Sequence, residues 1–307
     1  MRKGFSIFFL LLSILAFKNM AYAVKVTWAE KEIDDCMYLW NAGDYKGAIE
    51  AGKLAVKKYP KNLDAYICLA GAYEDAEELK LALETMKKAA SITNNKKDLI
   101  NIYIETASIL RKMGNLDDAL LYYNKGLSLA KGTKDKRMQI NILWLIAKTY
   151  EDKGELDEAL SYYEKSLSLE TDKSFKAGTY DDIGSVYEKK GDYQKAVEYI
   201  KKAIELNEHP IHFSWYRLHL GDVYRKMKDY KNAEKYLFEA LENYKKWGAN
   251  SGIAEAYRYF GRLYRDKGDY KTARDYYTRA YNLFKSSGAE RGAQDVLDEM
   301  KELDKSN

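Results

Sequence analysis

From about residue 29 onward the chain repeats one arrangement of apolar and polar positions. Stretches such as Tyr180, Ile183, Gly184 and Tyr187, or Tyr257, Phe260, Gly261 and Tyr264, put large and small residues at offsets of three, four and seven, which is one face of an α-helix. A second helical stretch follows. It carries an alanine, an apolar or aromatic residue four positions on and a small residue three beyond that: Ala119, Tyr123, Gly126; Ala196, Ile200, Ala203; Ala273, Tyr277, Ala280. Between the two stretches stands a polar break, seen seven times: Gly43-Asp44-Tyr45, Glu77-Glu78-Leu79, Gly114-Asn115-Leu116, Gly154-Glu155-Leu156, Gly191-Asp192-Tyr193, Lys228-Asp229-Tyr230 and Gly268-Asp269-Tyr270. The alanine just after each break recurs at steps of 34, 37, 40, 37, 37 and 40 residues.

Each part of this unit has a physical role. Glycine adopts the left-handed conformation that ends a helix, and the Asp or Asn beside it caps the next one. Acidic residues in the first turn suit the positive end of the helix dipole. Small residues at fixed offsets let two helix backbones approach, and a bulky replacement there overpacks the contact by about 1–3 kcal/mol. The pattern predicts helix pairs, none able to bury its apolar face alone, stacked on their neighbours.

The order large, large, small, large in the first helix (helix A), then Gly, then Ala, aromatic, Ala in the second (helix B) is similar to the tetratricopeptide signature, and Tyr59-Pro60 matches its terminal proline. The resemblance runs from residue 29 to about 290. It implies an all-α, right-handed superhelical solenoid of about seven helix-turn-helix repeats. They start near 29, 63, 100, 140, 177, 214 and 254 and fill 24–291, with a capping helix and tail at 292–307 built on Ala293, Val296, Leu297, Met300 and Leu303. Three departures stand out: Glu77 and Lys228 replace the turn glycine, Gly52 replaces a large residue, and several repeats exceed 34 residues. The extra length is expected late in helix B or in the link after it, around Lys131-Gly132-Thr133, Gly248-Ala249 and Ser286-Ser287-Gly288.

Composition agrees with long solvated helices: 32% charged residues and two prolines in 307 residues. The first 23 residues differ. Arg2 and Lys3 precede an apolar run from Phe5 to Phe17 and then Ala21-Tyr22-Ala23, the anatomy of a signal cleaved after Ala23. The alternative is an uncleaved membrane anchor, but the run is 13 residues long, short of the roughly 20 that span a bilayer as a helix, which favours cleavage. The sequence therefore predicts a periplasmic or secreted protein with no stable membrane insertion after cleavage. Processing leaves 48 Lys and Arg against 47 Asp and Glu, a near-neutral chain without the basic excess of a nucleic-acid binder. Cys36 and Cys68, on neighbouring repeats, stand either as a disulfide or as two small buried thiols.

Catalysis finds no foothold: no phosphate-binding glycine loop, nucleophile elbow or zinc-ligand spacing is present, and no cofactor is expected. His209, His212 and His219 are the three histidines, but the first two flank Pro210 in a link and the third lies on a helix, so no metal site is expected. Of the tyrosine pairs Tyr122-Tyr123, Tyr162-Tyr163 and Tyr276-Tyr277, the second members fall at packing positions, and the first are left open.

In the tetratricopeptide family the A helices line a concave groove. Carried onto this sequence, that implies a binding face of Met37 and Trp40, Ile67, Ile104 and Arg111, Trp144 and Lys148, Asp181 and Ser185, Trp215, Leu218 and Arg225, and Arg258, Tyr259, Arg262 and Arg265. The strongest candidates for partner contact are Trp144, Lys148, Trp215, Arg225, Arg258, Tyr259, Arg262 and Arg265. The last arginines form a stripe suited to an acidic segment or a free C-terminal carboxylate, or else a solvated face paired with Glu255, Asp266 or Asp269. The Lys and Asn constellation of chaperone-binding members is not matched, since Ile104, Ser108, Trp144 and Lys148 occupy comparable places. The expected function is a non-catalytic scaffold that binds peptides or partner proteins. The alternative is a self-assembling solenoid of the cell envelope.

Overall fold

A computed structural model describes residues 30–133, 135–206 and 210–305, so the export signal expected at 1–23 lies outside the described residues. The described residues form fifteen α-helices and no strand. The chain divides into two compact units, which meet between Glu170 and Thr171 in sequence.

The first unit holds four helix pairs: α1 (Lys31–Ala42) with α2 (Tyr45–Lys58), α3 (Leu63–Asp75) with α4 (Leu79–Ser91), α5 (Lys96–Lys112) with α6 (Leu116–Lys131), and α7 (Lys136–Lys153) with α8 (Leu156–Leu169). The second holds three more and a final helix: α9 (Lys173–Lys189) with α10 (Tyr193–Leu206), α11 (Pro210–Lys226) with α12 (Tyr230–Lys246), α13 (Asn250–Asp266) with α14 (Tyr270–Ser286), and α15 (Glu290–Lys305) packed on α14. Within each unit the second helix of a pair also lies against the first helix of the next. The stack is thus all-α and repetitive, as the sequence predicts.

The break alanines Ala48, Ala82, Ala119, Ala159, Ala196, Ala233 and Ala273 are wholly buried, as are the aromatic partners Tyr123, Tyr163 and Tyr277. Gly43, Gly114, Gly154, Gly191 and Gly268 all take positive φ at the turn. Glu77 and Lys228 adopt the same left-handed backbone, at φ +63° and +60°. The turn is therefore imposed by the helix pair it joins even where the residue resists it. Asp44, Asp229 and Asp269 cap the following helix by accepting the backbone N–H three residues on.

The extra length of the later repeats lies partly in helix A. Helices α5, α7, α9, α11 and α13 run 17 or 18 residues against 12 and 13 for α1 and α3, and they start about one turn ahead of 100, 140, 177, 214 and 254. The starts are fixed by N-caps. Asn95 accepts from the N–H of Lys97 and Asp98, Asp135 from Met138, and Asp172 from Ser174 and Phe175.

Cys36 and Cys68 are bonded, joining helix A of the first pair to helix A of the second with Cα atoms 6.3 Å apart. Both are wholly buried. Gly52 is the reason there is room: a Cβ on it would lie 3.1 Å from Cys36 Sγ and 3.1 Å from Leu69 Cβ. The missing large residue of the first repeat is the space that its disulfide occupies.

Candidate interaction surfaces

The A helices carry most of the residues singled out in the sequence, and the structure pairs their charges from one repeat to the next. Near the C-terminal ends of successive A helices Trp40 Nε1 donates to Asp75 at 2.7 Å, Lys112 meets Glu74 at 2.5 Å and Arg111 meets Asp152 at 2.5 Å in the first unit. In the second unit Lys226 pairs with Glu188 and Arg225 with Asp266. The residues come from one register: each contact joins the last turn of one A helix to the last turn of the next.

Lys148 reaches Glu151 of its own helix at 3.0 Å, and Tyr163 donates to the same buried carboxylate at 2.9 Å. Trp144 is half-buried on α7. Trp215, on α11, is 43% exposed, whereas Leu218, placed beside it on the predicted face, is buried. Arg225 is 10% exposed, lies 2.8 Å from Asp222 and also meets Asp266.

His219 is the one histidine whose side chain falls among those described. Its Nδ1 stands 2.6 Å from Asp181 and its Nε2 2.9 Å from Glu188. Both neighbours accept only, so both ring nitrogens donate and the ring is an imidazolium. Burial works to lower its pKa, but the two carboxylates override it and hold the group up to about 10. Glu188 is drawn below the usual carboxylate range despite burial, by His219 and Lys226. Among the described residues no group of three His, Cys, Asp or Glu is placed to hold a metal ion.

The arginine stripe on α13 is occupied from within the chain. Glu299 of α15 meets Arg258 at 2.7 Å and Arg262 at 2.5 Å, and Asp295 meets Arg258 at 3.4 Å. The same-helix pairings expected from sequence are present but secondary: Arg258 to Glu255 at 3.8 Å and Arg265 to Asp266 at 3.1 Å. Tyr259 lies under the Arg262 guanidinium, 5.1 Å from ring centroid to Cζ. Sequence reasoning missed Asp295 and Glu299, although a signal was there. They stand 37 residues after Arg258 and Arg262, the step of three of the repeats, so α15 presents its acids where an eighth helix A would.

The first tyrosine of each pair is half-buried against helix A. Tyr122 packs edge-on to Tyr103 at 5.9 Å, Tyr162 stacks on Tyr150 at 5.4 Å and Tyr276 on Tyr264 at 5.5 Å. Lysines cover several of these rings, Lys125 over Tyr122 at 4.5 Å and Lys165 over Tyr162 at 4.2 Å.

Comparison with known families settles what this architecture is. Models described as tetratricopeptide repeat match residues 37–96, 100–133, 138–209 and 213–286, most of the chain. The chain belongs to the tetratricopeptide repeat family. Its likeness to solved tetratricopeptide-like structures is one of fold. The apo form of RapI is 14% identical with a TM-score of 0.68, over 96% of this chain and 92% of that one. The C-terminal part of a tetratricopeptide repeat-containing protein from Cytophaga hutchinsonii is 20% identical with a TM-score of 0.56, over 85% and 98%. BtubC from P. vanneervenii is 18% identical with a TM-score of 0.57, over 69% and 90%. Comparison with curated proteins gives no match. Tetratricopeptide arrays are in general protein-interaction scaffolds rather than catalysts, and within each unit the A helices pair charges from one repeat to the next while tyrosines of helices A and B pack on each other.

Proposed function

We propose that the protein is an exported interaction scaffold that takes a segment of a partner protein along its A-helix face. Family membership supports the scaffold role. Export is supported by the charged, apolar and small-residue order of residues 1–23 and by the Cys36–Cys68 bond, a type of link that persists in oxidising compartments. The observation that carries the choice of face is Trp215. It stays 43% exposed on a helix whose ionic side chains are engaged with their neighbours, and exposed tryptophans anchor protein contacts more than any other residue.

The arginine stripe gives the partner no open cationic site. A carboxylate arriving at Arg258 or Arg262 has to displace Glu299, so the segment this face accepts is apolar or aromatic at Trp215 rather than acidic at α13.

A photoreactive residue at Trp215 tests this in the cells that make the protein. The reading expects one specific adduct. The partner so identified then binds the purified chain saturably, and Trp215→Ala weakens it by at least about tenfold. Equal binding by Trp215→Ala ends the assignment of the face. N-terminal sequencing of the mature chain checks export, with Val24 as the expected first residue. Light scattering on the same preparation addresses the self-assembling alternative, which requires growth with concentration; this account expects a single size.

A further inference from the structure

Helices α12 and α14 flank a groove of about 700 Å³ on the B-helix side, floored by α13. Its lining is unlike the A-helix face. Five cations line it, Lys231, Lys235, Lys245, Lys267 and Arg279, against a single carboxylate, Glu234. Glu234 is already engaged, accepting from the Tyr264 hydroxyl at 2.7 Å and lying 3.5 Å from Lys267. Lys245 and Arg279 have partners on their own helices, Glu242 and Asp275, each at 2.8 Å. Lys231 and Lys235 have no acidic partner among the described residues, and Lys235 lies over the ring of Tyr236.

Phe238 sits in this groove and is 56% exposed. Five residues after the break alanine, the other repeats carry Lys53, Lys87, Asn124, Glu164, Lys201 and Thr278, all polar. An exposed phenylalanine at this register therefore belongs to this one repeat and not to the packing scheme, which is satisfied without it. Leu241, Phe260 and Tyr276 continue the apolar surface below it.

We infer that this groove is a second docking site, for an acidic segment of a partner protein that carries a bulky apolar side chain between its carboxylates. The apolar group lies on Phe238 and the floor of the groove, and the carboxylates meet Lys231 and Lys235. Charge complementarity selects the acid, and burial of Phe238 supplies the anchor. The inference rests on the scaffold reading but not on Trp215, so the two fail separately.

The probe is a fluorescein-labelled Asp- and Glu-rich peptide with one central Trp, followed by anisotropy against the full mature chain. Saturable binding is expected, weakened by about tenfold or more in Lys231→Glu/Lys235→Glu and in Phe238→Ala, reduced by added salt, and unchanged in Trp215→Ala. All these positions are exposed, and circular dichroism confirms that each variant is folded. Absence of binding overturns the inference. So does binding that survives both groove variants, or preference for a single-stranded oligonucleotide over the peptide, which makes the cations a nucleic-acid site. Growth of the chain's own particle size that Phe238→Ala abolishes overturns it in favour of a second copy.

Discussion

Small and large residues are exchanged between paired helices, a glycine on one making room for the larger side chain on the other. In the pairs built on α9, α11 and α13, Gly184, Gly221 and Gly261 on helix A face Ile200, Leu237 and Tyr277 on helix B, and an added Cβ would come within 2.7, 2.7 and 2.5 Å of those side chains. In the first pair the glycine is on helix B, at Gly52, and the larger partner is Cys36 on helix A. Lys228 holds the left-handed backbone that glycine holds in five of the seven turns. Lys228→Gly should raise stability by about 1 kcal/mol, seen as a higher urea midpoint at unchanged slope, because the left-handed backbone that costs lysine is open to glycine. A lower midpoint would mean that the lysine side chain contributes more than its backbone strain costs. His219 gives a pH signature. Its folded pKa, about 10, lies above the ordinary 6.5, so its contribution is whole below about 6.5 and drains away as pH rises toward 10. The gap in urea midpoint between the native chain and His219→Gln should narrow across that window; a constant gap would show that the ring is not an imidazolium.

At the scale of elements, the last turns of the A helices act as a zipper, and α15 extends it. Glu299 is 12% exposed and serves two arginines at once, so Glu299→Gln should weaken the α13–α15 contact by about 1–3 kcal/mol. Hydrogen exchange should quicken in Glu290–Lys305 while α9 and α10 stay protected; unchanged exchange would reduce the bridge to ornament. The helix pairs themselves were legible because burial repeats: the same alanine, aromatic and small positions return at every step. The zipper was harder to read, since its partners sit one repeat apart and any single pair, such as Arg225 with Asp266, looks like an ordinary solvated charge. Asp295 and Glu299 were hidden for another reason. The apolar positions of α15 mark it as a cap, and its acids gain meaning only when the 37-residue step is carried past the last full repeat. The helix A starts depend on Asn95, Asp135 and Asp172, whose capping bonds lie about one turn ahead of the residues that carry the repeat pattern and so are not marked by its periodicity.

At the scale of the whole molecule, covalent and non-covalent links share one logic: within each unit a helix pair is held by its neighbours. The Cys36–Cys68 bond spans 32 positions, and in the chain-entropy account a loop of that size contributes about 3–4 kcal/mol. Reduction should lower the unfolding midpoint of helices α1–α4 and leave exchange in α11–α14 unchanged. Loss of protection along the full chain would show that the repeats do not fold as local units. The most direct test of that claim is a truncation series from the C-terminal end, first without α15 and then without α13 to α15, followed by circular dichroism in urea. Stacking on neighbours predicts that each shortened chain keeps the helix content of its remaining repeats, with a midpoint that falls in graded steps. Collapse of helicity throughout the chain on the first truncation would contradict it.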